Sequence, residues 1–524
     1  MNKPTVPADV HRPDPRSLPL FESRVYRSRP QPDPQPRRSL DTPKPSKETV
    51  SGSESLVFHP VVSDASAAAG FAAGGSGGVD WGLVAAFRSQ ASQRLTSRLG
   101  EDRLVLDKAG QEALGRAIIA ELLEAWVEEA VSQGRAGWTP GEQEAMAKAV
   151  FNALFRMGRL QPLVENDQVE NIIITGFDRV WLEMADGSMV AGPPVADSDQ
   201  ELIDFLSFLA SRSEVNARPF SQAQPRLHLR LDDGSRLAAT AWVTPRPSVV
   251  IRRHRLTRVG LDDLVARGSV PALVASFLRA AVRARLSIVV AGNQGFGKTT
   301  LARALCAEFG YWESVATLET EYELGLHELP DNHAIVHAWE ARPGSGERGP
   351  DGRMVGEFPL SEALYDSFRF TVGRQIVGEI RGAEVWPMIK AMESGTGSIS
   401  TTHSADARGA MRKLITCAME SGPHVTPELA TMKLADTIDL IVQLDMDTTA
   451  NPDGSVQRQR WVSEVVAISP GEKERGYAAT TVFHAGDGRV AFAHTLPDEL
   501  RRLERHGFDV AAFWAEARTR RGAA

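Results

Sequence analysis

The pattern of hydrophobic and polar positions predicts helices in the first ordered part of the chain. Apolar residues recur mostly at three- and four-residue spacings over 81–98 and 104–132, which is typical of amphipathic helices. A third helix is predicted to start after Thr139, because the Pro140 that follows is tolerated in the first turn of a helix. We therefore expect ordered structure to begin near Asp80.

Short strand-forming runs then replace the helical pattern. The runs cover Asn171–Thr175, Arg179–Glu183, Arg226–Leu231 and Ser235–Val243. The pair Asp233-Gly234 lies between the last two runs and favours a hairpin turn. Together with the preceding helices, these strands predict an α+β N-terminal domain that ends near Arg255.

A helix over Pro271–Arg285 is predicted to lead into a region where strands and helices alternate, as in a parallel α/β sheet. The predicted fold class is therefore α/β. The predicted organisation is a tail and linker over 1–80, a helical plus α+β domain over 81–255, an interdomain linker over 256–275 and an α/β domain over 276–524.

Residues 1–80 differ from the rest of the chain because Pro, Gly, Ala and Ser dominate them. Such a composition offers little apolar surface to bury, so we expect a disordered tail and a flexible linker. The alternative is a Pro-rich docking segment for a partner protein.

Composition excludes some classes of protein. With 59 Lys and Arg against 67 Asp and Glu, the net charge of −8 argues against a nucleic-acid coat or a polybasic membrane binder. The two cysteines, Cys306 and Cys417, cannot form a disulfide scaffold or a four-ligand zinc site, so we expect them in the core. No signal peptide or long apolar run is present, which indicates a cytoplasmic protein.

A phosphate-binding loop is predicted directly after the buried strand Ser287–Ala291. Residues 292–299 have the sequence GNQGFGKT, which matches G-x-x-x-x-G-K-T, and a helix is predicted to follow over Thr300–Phe309. The glycines allow backbone N–H groups to point at phosphate oxygens. Lys298 is expected to reach the β- and γ-phosphates, and the Thr299 hydroxyl to ligate Mg²⁺.

Two later strands end in residues that suit phosphate chemistry. Glu379 follows a short apolar strand, and a carboxylate at that end of the strand can orient water and lie near Mg²⁺. His403 follows another strand, where it either senses the γ-phosphate or ties two loops together. Glu319 and Glu323 come after a third strand, and Glu319 is the better candidate for a second carboxylate near Mg²⁺.

These motifs resemble those of the secretion-superfamily ATPases of type II and type IV systems, above all the Tad/Flp pilus assembly branch. The family's P-loop, GxTGSGKTT, is similar to 292–300, and its Walker B motif, RIIVGEVRG, is similar to 374–382. Its His box, GSLxTxHA, resembles 397–404. Its Asp box, IED-x-x-EL, resembles 318–324, except that Thr320 replaces the aspartate.

The resemblance covers about 150–445 and includes the N-terminal domain. Residues 160–172 resemble the family's PLLxDPxVxEIMVNG segment, 230–237 its RLxDGSR hairpin and 250–252 its TIRK strand. The resemblance implies that arginines of this region contact the nucleotide phosphates across an interdomain cleft. In this chain they are Arg230, Arg236 and Arg252.

The resemblance further implies a RecA-like motor that hydrolyses ATP with Mg²⁺. The implied catalytic residues are Glu379, Lys298, Glu319, His403, Arg236 and Arg252, and the implied metal ligands are Thr299 and Glu319. The implied nucleotide-binding residues are Gly292, Gly295, Gly297, Lys298, Thr299, Thr300, Arg230, Arg236 and Arg252.

The implied assembly is a cytoplasmic homo-hexamer at the inner face of the cell membrane, where it acts on a polytopic inner-membrane platform protein and on no specific nucleic acid. Three alternatives stay open. They are a conjugative type IV secretion ATPase, a nucleic-acid-stimulated RecA-like motor and a nucleotide-binding scaffold without catalysis.

Overall fold

The computed structural model describes residues 79–101, 106–212, 220–253, 258–344, 348–350, 352–450, 456–471 and 476–521. All of them belong to one of the two units into which the chain divides, Val61–Ala524. The tail predicted over 1–80 lies outside the described residues except for Val79 and Asp80. Among the helices described, none has the length and apolar composition that crossing a membrane requires.

Three helices form the first packed element, and they are α1 (Trp81–Glu101), α2 (Lys108–Ser132) and α3 (Pro140–Phe155). Helix α3 starts with a capping box. The Thr139 hydroxyl accepts a hydrogen bond from the Glu142 N–H, and the Glu142 carboxylate accepts one from the Thr139 N–H. The apolar faces of the helices form a core of their own. The predicted helices are confirmed, with their ends shifted by a few residues.

A six-stranded antiparallel sheet, which we call the first sheet, follows in the order β3-β2-β1-β6-β5-β4. Its strands and the helices that accompany it are α4 (Gln161–Glu165), β1 (Val169–Thr175), β2 (Arg179–Met184), β3 (Met189–Ala191), α5 (Asp199–Arg212), β4 (Arg226–Arg230), β5 (Arg236–Thr240) and β6 (Ser248–Arg252). Alternate residues such as Ile172, Leu182 and Ile251 are buried in one core with Leu202 and Leu206 of α5.

One predicted strand is shorter in the structure. The sequence pattern predicts a strand over Ser235–Val243, but β5 ends at Thr240. The reason is Trp242, whose φ of 63° lies in the left-handed region and turns the chain out of the strand. Its ring packs against Phe220 with the ring centroids 4.9 Å apart.

A nine-stranded sheet forms the second half, in the order β17-β16-β15-β14-β7-β13-β12-β8-β9. The strands from β14 to β9 are parallel, and the rest are antiparallel. Its elements, with the small pair β10–β11, are α6 (Leu261–Ala266), α7 (Ala272–Arg283), β7 (Ile288–Ala291), α8 (Lys298–Cys306), β8 (Ser314–Glu319), β9 (Ile335–Glu340), β10 (Arg342–Pro343), β11 (Glu357–Phe358), α9 (Leu360–Ser367), β12 (Arg374–Ile380), α10 (Val385–Glu393), β13 (Ile399–Thr402), α11 (Ala407–Met419), α12 (Pro427–Thr437), β14 (Leu440–Ala450), β15 (Val456–Pro470), β16 (Tyr477–His484), β17 (Phe492–Ala493) and α13 (Val510–Arg521).

Short 3₁₀ helices occur at Gly158–Leu160, Leu326–Glu328 and Asp498–His506. The predicted α/β class, a RecA-like sheet preceded by an α+β part, is confirmed by this order of elements. The segment predicted as the linker 256–275 contains α6, and both Leu261 and Leu264 are buried in the core of the nine-stranded sheet.

Two hydrophobic cores contact the nine-stranded sheet. Cys306 belongs to one and Cys417 to the other, and both are free buried thiols as expected. Burial raises the pKa of both thiols above the ordinary value, so they stay protonated at neutral pH.

Two glycines before β13 allow a matched test of packing. Gly395 and Gly397 both have left-handed backbones, with φ of 70° and 76°. A Cβ on Gly395 would meet nothing within 4 Å, whereas a Cβ on Gly397 would lie 2.9 Å from the Arg285 Cα. The two positions therefore share backbone strain but differ in free space.

We predict that Gly397→Ala lowers the melting temperature of the full chain clearly more than Gly395→Ala does. The left-handed backbone costs either alanine roughly 1–2 kcal/mol, and overpacking adds roughly 1–3 kcal/mol at Gly397 alone. Thermal unfolding followed by circular dichroism measures both shifts. Equal shifts for the two variants would show that the Arg285 backbone moves away freely.

Candidate functional site

The loop after β7 has the backbone conformation that phosphate-binding loops require. Its glycines Gly292, Gly295 and Gly297 have φ of 154°, 80° and 87°, values that residues with a side chain rarely adopt. A Cβ on Gly292 would also lie 3.0 Å from the Leu444 carbonyl oxygen. Gly297 is the N-cap of α8, whose first N–H groups lack partners within the helix. A helix start of this kind favours bound anions.

Lys298 is the first residue of α8, and only 7% of it is exposed. Its Nζ donates to the Asn293 carbonyl oxygen at 3.0 Å and lies 3.1 Å from the His403 Nδ1. Burial lowers the pKa of Lys298 to about 8. The ammonium group is therefore directed at the loop and at the end of β13.

His403 connects Lys298 to Glu379. The His403 Nε2 lies 2.7 Å from the Glu379 Oε1, and the Arg381 Nε donates to the Glu379 Oε2 at 2.8 Å. Burial alone would raise the pKa of Glu379, but the hydrogen bonds from His403 and Arg381 outweigh it and lower the pKa to about 2. Glu379 is therefore a carboxylate over the whole physiological pH range.

Glu319 supports the backbone of the segment that follows β8. It is 2% exposed, and its Oε2 accepts the N–H groups of Glu323 at 2.7 Å and Leu324 at 2.9 Å. Burial raises the pKa of Glu319 to about 7. A Cβ on Gly378 would lie 2.9 Å from the Glu319 Cγ, so the glycine of the neighbouring strand β12 leaves room for this side chain.

The Thr299 hydroxyl donates to the Glu323 Oε2 at 3.1 Å. Hydroxyl and carboxylate oxygens suit Mg²⁺, which usually takes only one or two protein ligands beside phosphate and water oxygens. Among the described residues, no group of three or more His, Cys, Asp or Glu could hold a metal ion by itself. Thr299 and Glu323 therefore fit a Mg²⁺ site that is completed by phosphate and water oxygens. Glu319 stays a predicted ligand, and its Oε2 accepts hydrogen bonds from two backbone N–H groups.

Arginines of the first sheet reach the same region. The Arg236 Nη1 donates a hydrogen bond to the Glu323 Oε1 and also lies 3.2 Å from the Glu321 Oε2. Arg252 is the register partner of Arg236 on β6 and is exposed. Arg230 pairs with Glu328.

A cleft of about 1780 Å³ lies between the first sheet and the phosphate-binding loop. This volume exceeds the roughly 300–1,000 Å³ of ordinary ligand pockets. Of the predicted site residues, those that line the cleft are Gly295, Gly297, Lys298, Thr299, Thr300, Arg236, Arg252, Glu379 and His403. Within the described part of the chain, Gly292, Arg230 and Glu319 are not among its lining residues.

Sequence reasoning missed one element of the cleft. The β14–β15 hairpin brings Arg460 to the loop, where its Nε donates to the Gly295 carbonyl oxygen at 2.8 Å. This arginine belongs to none of the motifs. The available signal is the alternation of Gln457, Arg458, Gln459 and Arg460 at the start of β15, which places two arginines on one face of the strand.

The model of the family described as type II/IV secretion system protein matches residues 158–496, which is more than half of the chain. The chain belongs to this family. The match extends beyond residue 445, where the resemblance in the motifs ends, and includes the β14–β15 hairpin and the strands after it. The matched region therefore includes both the first sheet and the nine-stranded sheet.

The chain is also similar to individual known proteins. A putative conjugal transfer protein of Mycobacterium tuberculosis is 25% identical over 385 residues, which cover 69% of this chain and 98% of that protein. The type IV secretion system protein VirB11 of Brucella suis is 25% identical over 329 residues, which cover 57% of this chain and 88% of that protein. The solved structure of the Legionella pneumophila ATPase DotB is 19% identical, covers 61% of this chain and 81% of that chain, and has a TM-score of 0.41.

The lowered pKa of Lys298 predicts a pH dependence of phosphate binding. The amine loses its charge as pH rises through about 8 in the free protein, so affinity for ADP should fall above that pH by up to about ten-fold per pH unit. Fluorescent-nucleotide titrations between about pH 7.5 and about pH 9.5, where the terminal phosphate is fully ionised, measure this. Lys298→Arg is the control, because a guanidinium stays protonated. An equal slope in the variant would assign the titration to another group.

Proposed function

We propose that this secretion system protein is an ATPase that converts ATP and water to ADP and phosphate and powers a type II or type IV secretion or Tad/Flp pilus machine. One observation carries the proposal. Inside the cleft, beside the phosphate-binding loop, His403 contacts Lys298 through one ring nitrogen and Glu379 through the other. A buried lysine and a permanently ionised carboxylate beside such a loop are the groups that phosphoryl transfer to water needs.

Each group has a separate role in this proposal. Lys298 neutralises phosphate charge, and Glu379 orients the attacking water by accepting a hydrogen bond from it. Thr299 and Glu323 would hold Mg²⁺, which supplies further positive charge at the phosphates. His403 holds the Lys298 and Glu379 side chains in fixed positions relative to each other, because it contacts both.

Arg236 and Arg252 supply positive charge from the opposite wall of the cleft. Both line the cleft, and Arg236 is engaged with Glu323 and Glu321. Phosphates would attract both guanidinium groups across the cleft, so the proposal couples closure of the first sheet over the loop to the nucleotide. In this proposal, the movement of the first sheet over the phosphate-binding loop is the motion that drives the secretion or pilus machine.

For the assembly, we propose a homo-hexamer that works in the cytoplasm at the inner face of the membrane. Its partner in this proposal is a polytopic inner-membrane platform protein. The support is membership of the type II/IV secretion system family together with the family-like motifs in both parts of the chain.

A second candidate is a motor for conjugative transfer. The observation that favours it is the Mycobacterium tuberculosis relative, which is described as a putative conjugal transfer protein. Neighbouring genes separate the two candidates: pilin and platform genes favour the pilus machine, and relaxase and coupling-protein genes favour conjugation. Stimulation of turnover by DNA that weakens with salt would favour a nucleic-acid motor instead.

Lys298→Ala tests the proposed activity. We expect Mg²⁺-dependent phosphate release by the full chain and its loss in the variant, because no other group in the loop replaces the ammonium charge. A melting curve confirms that the variant is folded. Near-normal turnover in a folded variant would refute the proposal. A parent protein with neither turnover nor nucleotide binding would refute it too. A parent protein that binds nucleotide without turnover would be a nucleotide-binding scaffold.

Glu379→Gln separates binding from chemistry. The amide keeps the size of the side chain but loses the charge that orients water, so we predict turnover lower by roughly 10²–10⁴-fold and nucleotide affinity within a few-fold of the parent. Phosphate release and equilibrium binding measure the two effects separately. Equal losses in both would identify Glu379 as a structural carboxylate that only orders His403 and Arg381.

A further inference from the structure

We infer that Arg460 is a positioning residue that holds the phosphate-binding loop in its anion-binding form and connects it to the first sheet. The inference rests on the proposed ATPase function, because it assigns a role at the same site. It concerns a residue outside the P-loop, Walker B, Asp and His motifs.

The β14–β15 hairpin brings Arg460 to the loop by extending past the end of β7. Strand β14 pairs with all of β7, from Leu440 opposite Ile288 to Gln443 opposite Ala291. It then continues to Ala450, where β7 has already ended. Because β15 pairs with this extension, the hairpin forms one wall of the loop.

Arg460 fixes the direction of a carbonyl group in the loop. Its Nε donates to the Gly295 carbonyl oxygen at 2.8 Å, and its Cδ would lie 3.5 Å from a Cβ on Gly297. A loop that offers N–H groups to phosphate must keep its carbonyl oxygens away from the phosphate, because both are negative. The Arg460 guanidinium stabilises that arrangement, because it holds the Gly295 carbonyl oxygen with a charge-assisted hydrogen bond.

The same guanidinium reaches the first sheet. The Arg460 Nη2 lies 3.5 Å from the Glu170 Oε1 on β1, and only about a quarter of either side chain is exposed (26% and 29%). Arg460 therefore contacts the loop and β1 at once. A movement of β1 away from the cleft removes the Glu170 contact and leaves the loop held by the Gly295 bond alone.

A neighbouring arginine provides a matched control. Arg458 lies on the same face of β15 as Arg460 and pairs with Glu183 on β2. Its described contacts are with the first sheet, where a Cβ on Gly187 would lie 2.8 Å from its Nε. Arg458→Ala therefore removes a contact between the hairpin and the first sheet without removing a contact to Gly295.

The experiment compares Arg460→Ala, Arg460→Lys and Arg458→Ala in the full chain. We expect Arg460→Ala to raise the Kd for ADP and the KM for ATP roughly ten-fold, with kcat changed by less than about three-fold, as expected when one charged hydrogen bond is lost. Arg460→Lys should recover part of the affinity, because an ammonium can still donate to the carbonyl oxygen. Arg458→Ala should stay within about two-fold of the parent.

Several results would overturn the inference. Equal changes in Arg460→Ala and Arg458→Ala would show that contact with the first sheet matters and the loop bond does not. A fall in kcat without a change in KM would also overturn the inference, because it would place Arg460 in the chemical step and not in nucleotide binding. If Arg460→Ala does not fold, an Arg460→Lys variant with unchanged affinity and an unchanged melting curve excludes a need for the guanidinium.

Failure of the inference differs from failure of the proposed function. If the parent hydrolyses ATP, Lys298→Ala does not, and Arg460→Ala behaves like the parent, the function stands and the inference is wrong. If the parent binds ADP but has no turnover, calorimetric ADP binding by the same variants still decides the role of Arg460. If the parent binds no nucleotide, both are wrong.

Discussion

Strand β7 lies between β13 and β14, and all four of its residues are buried. Parallel strands have their carboxyl ends at one edge of the sheet, so the loop after β7 and His403 after β13 emerge side by side. The backbone and the crowding at this edge both favour glycine at position 292, because its φ is 154° and a Cβ there would lie only 3.0 Å from the Leu444 carbonyl oxygen of β14. The phosphate-binding loop, the histidine and the hairpin wall are consequences of one buried strand.

Charge in the cleft is arranged in pairs before any phosphate is considered. Glu379 is held between His403 and Arg381, and Arg236 is held by Glu323 and Glu321. Partly buried charges need such partners, because desolvation is expensive without them. A polyphosphate that entered the cleft would have to exchange partners with these ion pairs, and in the proposed ATPase this would couple binding to the relative position of the two sheets.

Local spacing allowed much of the site to be predicted from the sequence. The loop 292–299 could be assigned because each glycine and Lys298 has a fixed place in a short motif between a strand and a helix. Arg460 and Glu170 could not, since they are 290 positions apart and meet only after both sheets have formed. The end of β5 was missed because the left-handed backbone of Trp242 leaves no mark in the hydrophobic pattern.

Glu323 explains why nucleotide and metal would have to act together in the proposed ATPase. It accepts hydrogen bonds from Thr299 and from Arg236, so one carboxylate connects the loop helix to the first sheet. Transfer of Arg236 to a phosphate would leave Glu323, in a partly buried position, with the more distant Arg381 guanidinium, whose Nη2 lies 4.0 Å from the Glu323 Oε1. A metal ion held by Thr299 and Glu323 would restore positive charge beside this carboxylate. Phosphate alone would leave the Glu323 carboxylate with a longer ion pair to Arg381, and metal alone would add positive charge beside an Arg236 that is still paired.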